Sequence, residues 1–239
     1  MHFDALTLAC VTDELRHTVL NGRVQQIVAP DAQSLGLEIY AQRTRHYLLI
    51  HGGGRAARLH LTEQKLRRGV EQPSPLMLLL RKYVRDSIIE QIVQPDPTER
   101  VVQIQFRHAQ HGLTRLILEI LGQQSNILLV NPAGRILDCL VRVWPDDGVA
   151  RRLVPGQPYT PPLAQAKLPP LDDGREDYYE RLAALLQESG PLWKALVAGV
   201  AGISPTLGRE VAWRATGSID TAANEAELMP TVAALQSLW

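Results

Sequence analysis

The sequence predicts an α+β chain, with a strand-rich N-terminal block followed by an α-helical segment. Short apolar runs set between Gly, Pro, Asn, Asp and His turns recur from Arg23 to Val143, the pattern of an antiparallel sandwich or barrel-like sheet. A Pro-rich stretch follows, Pro155-Gly156-Gln157-Pro158-Tyr159-Thr160-Pro161-Pro162 and then Pro169-Pro170, which reads as an exit from the first domain. Beyond it the apolar residues recur at helical spacing. Domains are therefore expected at residues 1–170 and 171–239.

Residues 3–20 carry Leu8, Val11, Leu15 and Val19 at helical spacing. Asp4 can cap this helix by accepting early backbone N–H groups, and Asn21-Gly22 ends it. Strands are expected at 23–28, 35–41, 46–50 and 57–61, with Gly52-Gly53-Gly54 as the turn before the last. Pro75 suits a helix start, and 76–84 reads as a short apolar helix with Arg81, Lys82 and Arg85 on its outer side. Further strands are expected at 88–93, 101–107, 114–121, 126–130 and 136–143, and helices at 177–188, 192–200, 206–215 and 225–238. Gly199-Val200-Ala201-Gly202-Ile203-Ser204-Pro205 resembles a helix-hairpin-helix turn, whose glycines let backbone amides face a phosphate. The segment from Leu171 holds ten acids against five Lys and Arg, which favours a packing role for that turn over phosphate binding.

The chain of 239 residues is 45% hydrophobic, enough for a core in one large or two small domains, and balances 25 Lys+Arg against 25 Asp+Glu. A neutral total argues against a nucleic-acid binder, but the average hides a gradient. Residues 43–85 hold ten Lys and Arg against Glu63 and Glu71 alone. Such asymmetry fits a polyanion partner on one face; a solvated helical face accounts for it equally well. Cys10 and Cys139 have no metal-type or redox-type neighbours and lie among apolar residues, so buried thiols in a reducing compartment are expected. Met1-His2-Phe3-Asp4 has neither a basic n-region nor a long apolar run, which points to a cytoplasmic protein with no membrane partner.

The densest signal is Glu119-Ile120-Leu121-Gly122-Gln123-Gln124-Ser125-Asn126-Ile127-Leu128-Leu129-Val130. An apolar strand enters a Gly-Gln-Gln-Ser-Asn knot and resumes as an apolar strand. The knot holds more polar or small residues than a turn needs, each able to bond backbone or ligand.

Catalytic patterns fail one by one. There is no Gly-x-Ser-x-Gly, no Walker A and no Gly-x-Gly-x-x-Gly. His51-Gly52-Gly53-Gly54 resembles an oxyanion-hole loop but lacks a nucleophile elbow, so it reads as a hairpin turn. His108 and His111 lie in a loop after a strand without a third ligand, which does not make a metal site. No catalytic residue, metal or cofactor is expected, and nothing sets an oligomeric state.

Five segments in order resemble the NFACT family, the ribosome-quality-control tailing factors also labelled fibronectin-binding protein A N-terminal domain. They are Ala57-Arg58-Leu59-His60-Leu61-Thr62-Glu63-Gln64-Lys65, Met77-Leu78-Leu79-Leu80-Arg81-Lys82, the Glu119–Val130 run, Leu153-Val154-Pro155-Gly156-Gln157-Pro158-Tyr159, and Gly202-Ile203-Ser204-Pro205. Each alone is weak; five in the right order along nearly the whole chain are specific.

The resemblance implies a first domain like the N-terminal domain of formamidopyrimidine-DNA glycosylases and a second that is a helix-hairpin-helix domain. Family members continue into a coiled coil and a further domain, so a chain stopping at Trp239 is expected to be a fragment or a truncated member. It implies binding to the obstructed large ribosomal subunit and its rRNA, with tRNA, alanyl-tRNA in bacteria, recruited for mRNA-independent C-terminal tailing. The family's Asp-Arg pair at the tRNA anticodon region corresponds to Glu99-Arg100, with Glu in place of Asp, and Asp4 matches a second acidic position. RNA-phosphate contacts are expected from Arg55, Arg58, Lys65, Arg81, Lys82, Arg85, Ser125 and Asn126. The family's Gly-Arg-His-Ser-Asn is here Gly122-Gln123-Gln124-Ser125-Asn126, which removes two potential cations. Glycosylase chemistry needs an N-terminal proline amine, and residue 2 is His2. Two other readings remain, a fibronectin-binding adhesin and a structural module that has lost tRNA binding.

Overall fold

The computed structural model describes residues 3–144 and 151–239; His2 lies outside them. The first helix, α1, spans Ala5–Val19. Its buried stripe is Leu8, Thr12, Leu15 and Val19, one helical face. Cys10 follows Leu8 by two residues, about 200° round the helix, and is exposed. Of the two thiols expected to be buried, only Cys139 is.

The strands are β1 (Arg23–Val28), β2 (Ser34–Ala41), β3 (Thr44–His51), β4 (Arg58–Thr62), β5 (Ile88–Val93), β6 (Val101–His108), β7 (Gly112–Glu119), β8 (Asn126–Val130) and β9 (Ile136–Cys139), with helix α2 (Pro75–Tyr83) between β4 and β5. They form one antiparallel sheet in the order β4-β3-β2-β1-β5-β6-β7-β8-β9. Two meanders, each closed by local turns, meet at β1 and β5. Reciprocal bonds make that seam: Asn21 N donates to Ile89 O and Ile89 N to Gly22 O, both at 2.9 Å, while Asp86 N donates to Val24 O at 2.8 Å. Each half repeats one device. A helix ends at a left-handed residue, Asn21 (φ 62°) or Asp86 (φ 68°). The strand after it bulges, between Val24 and Gln26 or between Ile89 and Gln91, which sharpens twist.

The sheet curls round its helix. α2 touches both β1 and β9, yet in a flat sheet five strand spacings would part those strands by about 24 Å, twice the ~10–12 Å width of a helix. Gly52, at the end of β3, also lies against β8: a Cβ there would stand 2.6 Å from Ile127 Cγ1. Curvature buries Leu37, Ile39, Leu48, Ile50 and Phe106 on the inner face. Ser74 caps α2, its Oγ accepting from Met77 N at 3.2 Å, with Pro75 at the first helical position.

Two strands stop short of their expected ends because side chains take over the ladder. β7 ends at Glu119, where Ser125 Oγ accepts from Leu121 N at 2.9 Å. β9 ends at Cys139, after which Asn126 Oδ1 accepts from Val141 N at 3.0 Å.

The chain forms two compact units, residues 7–95 with 100–162, and residues 3–6, 96–99 and 163–239. The second holds α3 (Tyr178–Leu186), α4 (Leu192–Gly199), α5 (Pro205–Thr216) and α6 (Leu228–Gln236) round a core that includes Tyr178, Leu182, Leu196, Val211 and Leu235. The unit begins before residue 171 because Leu168 belongs to this core and brackets α4's end: its N donates to Gly199 O and its O accepts from Ala201 N, each at 2.8 Å. Between α4 and α5, Gly202 takes φ 74° and Ser204 caps α5 through Leu207 N at 3.1 Å. A Cβ on Gly208 would lie 2.8 Å from Trp193 O, so the two helices pack nearly backbone to backbone.

Candidate nucleic-acid interface

Glu99 ends a turn that its neighbours hold tightly. Asp96 Oδ1 accepts from Thr98 N at 2.8 Å and from Thr98 Oγ1 at 2.7 Å, and Glu99 N donates to Asp96 O at 3.1 Å. This is an Asx turn closed by a backbone bond. Gly202 backs it: a Cβ there would stand 3.0 Å from the Trp239 ring and 3.1 Å from Thr98 Cα. Within the same unit the buried Asp4 accepts at Oδ2 from Ser204 Oγ at 2.8 Å, behind the α5 cap.

Arg100 stands at the head of β6 in the first unit, its carbonyl accepting from Ile120 N at 2.8 Å. It is half-buried. Among the described residues its guanidinium has neither an ion pair nor a hydrogen bond. Five donors in a fixed fork held half out of water without partners are poised for an anionic or bidentate acceptor.

The basic stretch is not one helical face; it runs from β3 through β4 to α2. Arg55 lies exposed in the single turn Gly54–Ala56, and Arg58 opens β4 with Nη1 bonded to Ala56 O at 2.8 Å. Arg81 is half-buried, while Lys82 is exposed beside the Tyr83 ring, 5.1 Å from its centroid. Lys65 enters an open recess of about 490 Å³ lined by Arg23, Gln25, Gln26, Glu38, Arg45 and Asp86. Glu38 is buried, with Arg45 at 3.6 Å and Lys65 at 3.9 Å. Arg23 and Arg85 flank Asp86 at 3.8 and 3.6 Å.

Ser125 and Asn126, expected as phosphate contacts, are 3% and 1% exposed and serve the knot itself. Ser125 Oγ donates to Gly122 O at 2.7 Å; Asn126 Nδ2 donates to Val141 O at 2.7 Å, and its Oδ1 also accepts from Ile127 N at 2.9 Å. Glu119 beside them is fully buried. Arg151 Nη2 and Nη1 donate to its two oxygens at 2.6 and 3.2 Å, and Tyr159 Oη donates at 2.8 Å. These bonds tie the Pro-rich exit to the sheet.

The oxyanion-like loop carries no nucleophile. Ser34 Oγ donates to Asp31 Oδ2 and meets His51 Nδ1, both at 2.8 Å, so the serine sits between an acceptor and a donor rather than against a base. His108 and His111 stack with centroids 4.7 Å apart, parallel rather than convergent. Among the described residues no three His, Cys, Asp or Glu side chains gather as a metal site, and no helix is long and apolar enough to cross a membrane. Sequence reasoning missed Arg23, Tyr40 and Arg107, which only strand register brings into line; outward alternation within each strand was their one local signal.

A family model described as NFACT N-terminal and middle domains matches residues 4–238. Relatives named Rqc2 homolog RqcH include one from Streptococcus pneumoniae, 34% identical over 76% of this chain and 34% of that protein. Another, from Bacillus subtilis, is 30% identical over 90% of this chain and 38% of that protein. The chain thus spans about a third of their length. The N-terminal part of a fibronectin/fibrinogen-binding protein from Streptococcus suis superposes with a TM-score of 0.79 at 27% identity, covering 98% of this chain and 84% of that one. The N-terminal domain of fibronectin-binding protein PavA from Streptococcus pneumoniae does so with a TM-score of 0.75 at 31% identity, covering 88% and 78%. With order, motifs and fold in agreement, the chain belongs to the NFACT family.

Proposed function

We propose that this chain is the tRNA-binding N-terminal part of a cytoplasmic ribosome-quality-control factor. It acts on the obstructed large subunit and supports mRNA-independent alanine tailing without itself being an enzyme. The half-buried Arg100 guanidinium, without an ion pair or hydrogen bond among the described residues, carries the reading. Arg100 would grip a phosphate or a guanine edge bidentately, and Glu99, on its braced turn, would accept from a base amino or imino group. The exposed cations Arg55, Lys65, Lys82 and Arg85, with the half-buried Arg58 and Arg81, would add phosphate contacts to tRNA or rRNA. Gly202 and the α4–α5 turn would form a helix-hairpin-helix, and the curled sheet would resemble the N-terminal domain of formamidopyrimidine-DNA glycosylases without the chemistry.

A tRNA-binding titration at low and moderate salt, with Arg100→Ala beside the wild type, tests this. Salt-sensitive binding and a loss of about 1–3 kcal/mol in the variant are expected. Equal affinity of the two proteins would instead mark a module that no longer reads tRNA through this position. The likeness to fibronectin-binding proteins supports a second reading, an adhesin; saturable capture of soluble fibronectin by this chain would favour it.

A further inference from the structure

The outer face of the sheet carries a row that no catalytic or anticodon-reading role uses. Strand register sets Arg45 opposite Tyr40, Tyr40 opposite Arg23, Arg23 opposite Ile88, and Ile88 opposite Arg107. The result is one rung across β3, β2, β1, β5 and β6 in which cation and apolar group alternate. All five side chains are outward: the three arginines are 59% exposed, Tyr40 45% and Ile88 37%. At about 4.8 Å per strand, successive arginines stand roughly 10 Å apart with a flat apolar surface between them.

The carboxylates facing the row hold the arginines without neutralising it. Glu38 lies 3.6 Å from Arg45 and Asp86 3.8 Å from Arg23, both beyond hydrogen-bond distance. Glu90 is hydrogen-bonded to Arg107. Lys65 and Arg85 add two more cations beside Glu38 and Asp86, so five cations meet three carboxylates.

We infer that this rung is a binding face for a single strand of RNA, distinct from the Arg100 position. Phosphates lie on Arg45, Arg23 and Arg107, a base stacks on Tyr40 and another rests against Ile88. Gln26 and Glu38, in the adjoining recess, offer acceptors and donors to base edges. A positively charged track interleaved with flat apolar side chains is the general solution for unpaired strands. A duplex would find no helix here to enter its groove, and an acidic peptide would make no use of Tyr40. The choice of RNA rests on the proposed function above.

The test is fluorescence anisotropy of this 239-residue chain with a labelled RNA of about ten nucleotides lacking tRNA structure, the DNA strand of the same sequence, and polyglutamate as competitor. Wild type is expected to bind the RNA and to weaken as salt rises from about 50 to 200 mM. Arg23→Gln with Arg45→Gln is expected to lose at least about tenfold in affinity, and Tyr40→Ala at least about fivefold. Arg181→Gln, at an exposed arginine of α3, should stay within about twofold of wild type, and rung variants that keep wild-type affinity in the tRNA titration separate failure of this face from failure of the tRNA site. Thermal melts of each variant check folding; these exposed positions leave it intact. Absent RNA binding at low salt, rung variants that bind like wild type, or an equal loss in Arg181→Gln would overturn the assignment. So would polyglutamate or DNA binding as tightly as RNA, which would reveal charge-only capture or a strand site indifferent to the 2′-hydroxyl.

Discussion

Arg151 clamps the fully buried Glu119 carboxylate through two nitrogens, Nη2 at 2.6 Å and Nη1 at 3.2 Å, and is itself only 14% exposed. The same guanidinium donates to Thr160 O at 2.6 Å through Nη2 and at 3.0 Å through Nε. One side chain therefore fastens the Pro-rich exit to the end of β7. Arg151→Ala strands a buried carboxylate whose remaining side-chain donor is Tyr159, and should cost about 3–5 kcal/mol in urea unfolding. A loss below about 1 kcal/mol would show the pair to be dispensable.

Gly202 combines φ 74° with Thr98 Cα and the Trp239 ring on the side where a Cβ would point. Gly202→Ala adds both backbone strain and a push on the turn that ends at Glu99. A destabilisation of about 1–3 kcal/mol is expected, together with weaker tRNA binding at temperatures where the variant remains folded. Wild-type tRNA affinity in the folded variant would separate the turn from recognition.

Asn126→Ala removes the acceptor of Ile127 N and Val141 N and the donor to Val141 O. Because the side chain is 1% exposed, water cannot readily replace those bonds, and about 1–3 kcal/mol or more should be lost. Hydrogen exchange should quicken first at Val141, whose ladder bond the side chain supplies. Unchanged protection there would sink this account of why β9 stops at Cys139.

Alkaline pH should loosen the fold. Burial pushes the Cys139 thiol up to about 11 from 9.0 and the Tyr178 phenol up to about 12 from 10.0. Burial, then the Glu119 charge, raises Tyr159 further still. Each group keeps its proton when folded and surrenders it when unfolded. Stability is thus full below about pH 9 and falls through the window from 9 towards 12, by up to about 1.4 kcal/mol per pH unit per group. Urea midpoints taken between about pH 8 and 11 test this. Tyr159→Phe should flatten the decline above about pH 10; an unaltered slope would assign the loss elsewhere.

Much of the architecture was legible in local pattern. Arg23–Val28, Ile88–Val93 and Asn126–Val130 form strands at their expected bounds, because short apolar runs there are bounded by turn residues. Pro75 marked one helix start, and the structure adds a serine cap before it, as it does at Ser204 ahead of Pro205. The order of five short motifs pointed to the family that the comparisons then established.

What the sequence by itself determined was therefore which residues form which elements and which lineage they descend from, since both are written in neighbours along the chain. Only the tertiary structure decided where β7 and β9 stop, because Ser125 and Asn126 bond to backbone up to 15 residues away. Curling brought Gly52 against Ile127. Register, set by one-residue bulges after Val24 and Ile89, aligned Arg45, Tyr40, Arg23, Ile88 and Arg107. A slip of one residue on any strand would turn its member of that row into the core, and no property of the isolated segments specifies that choice.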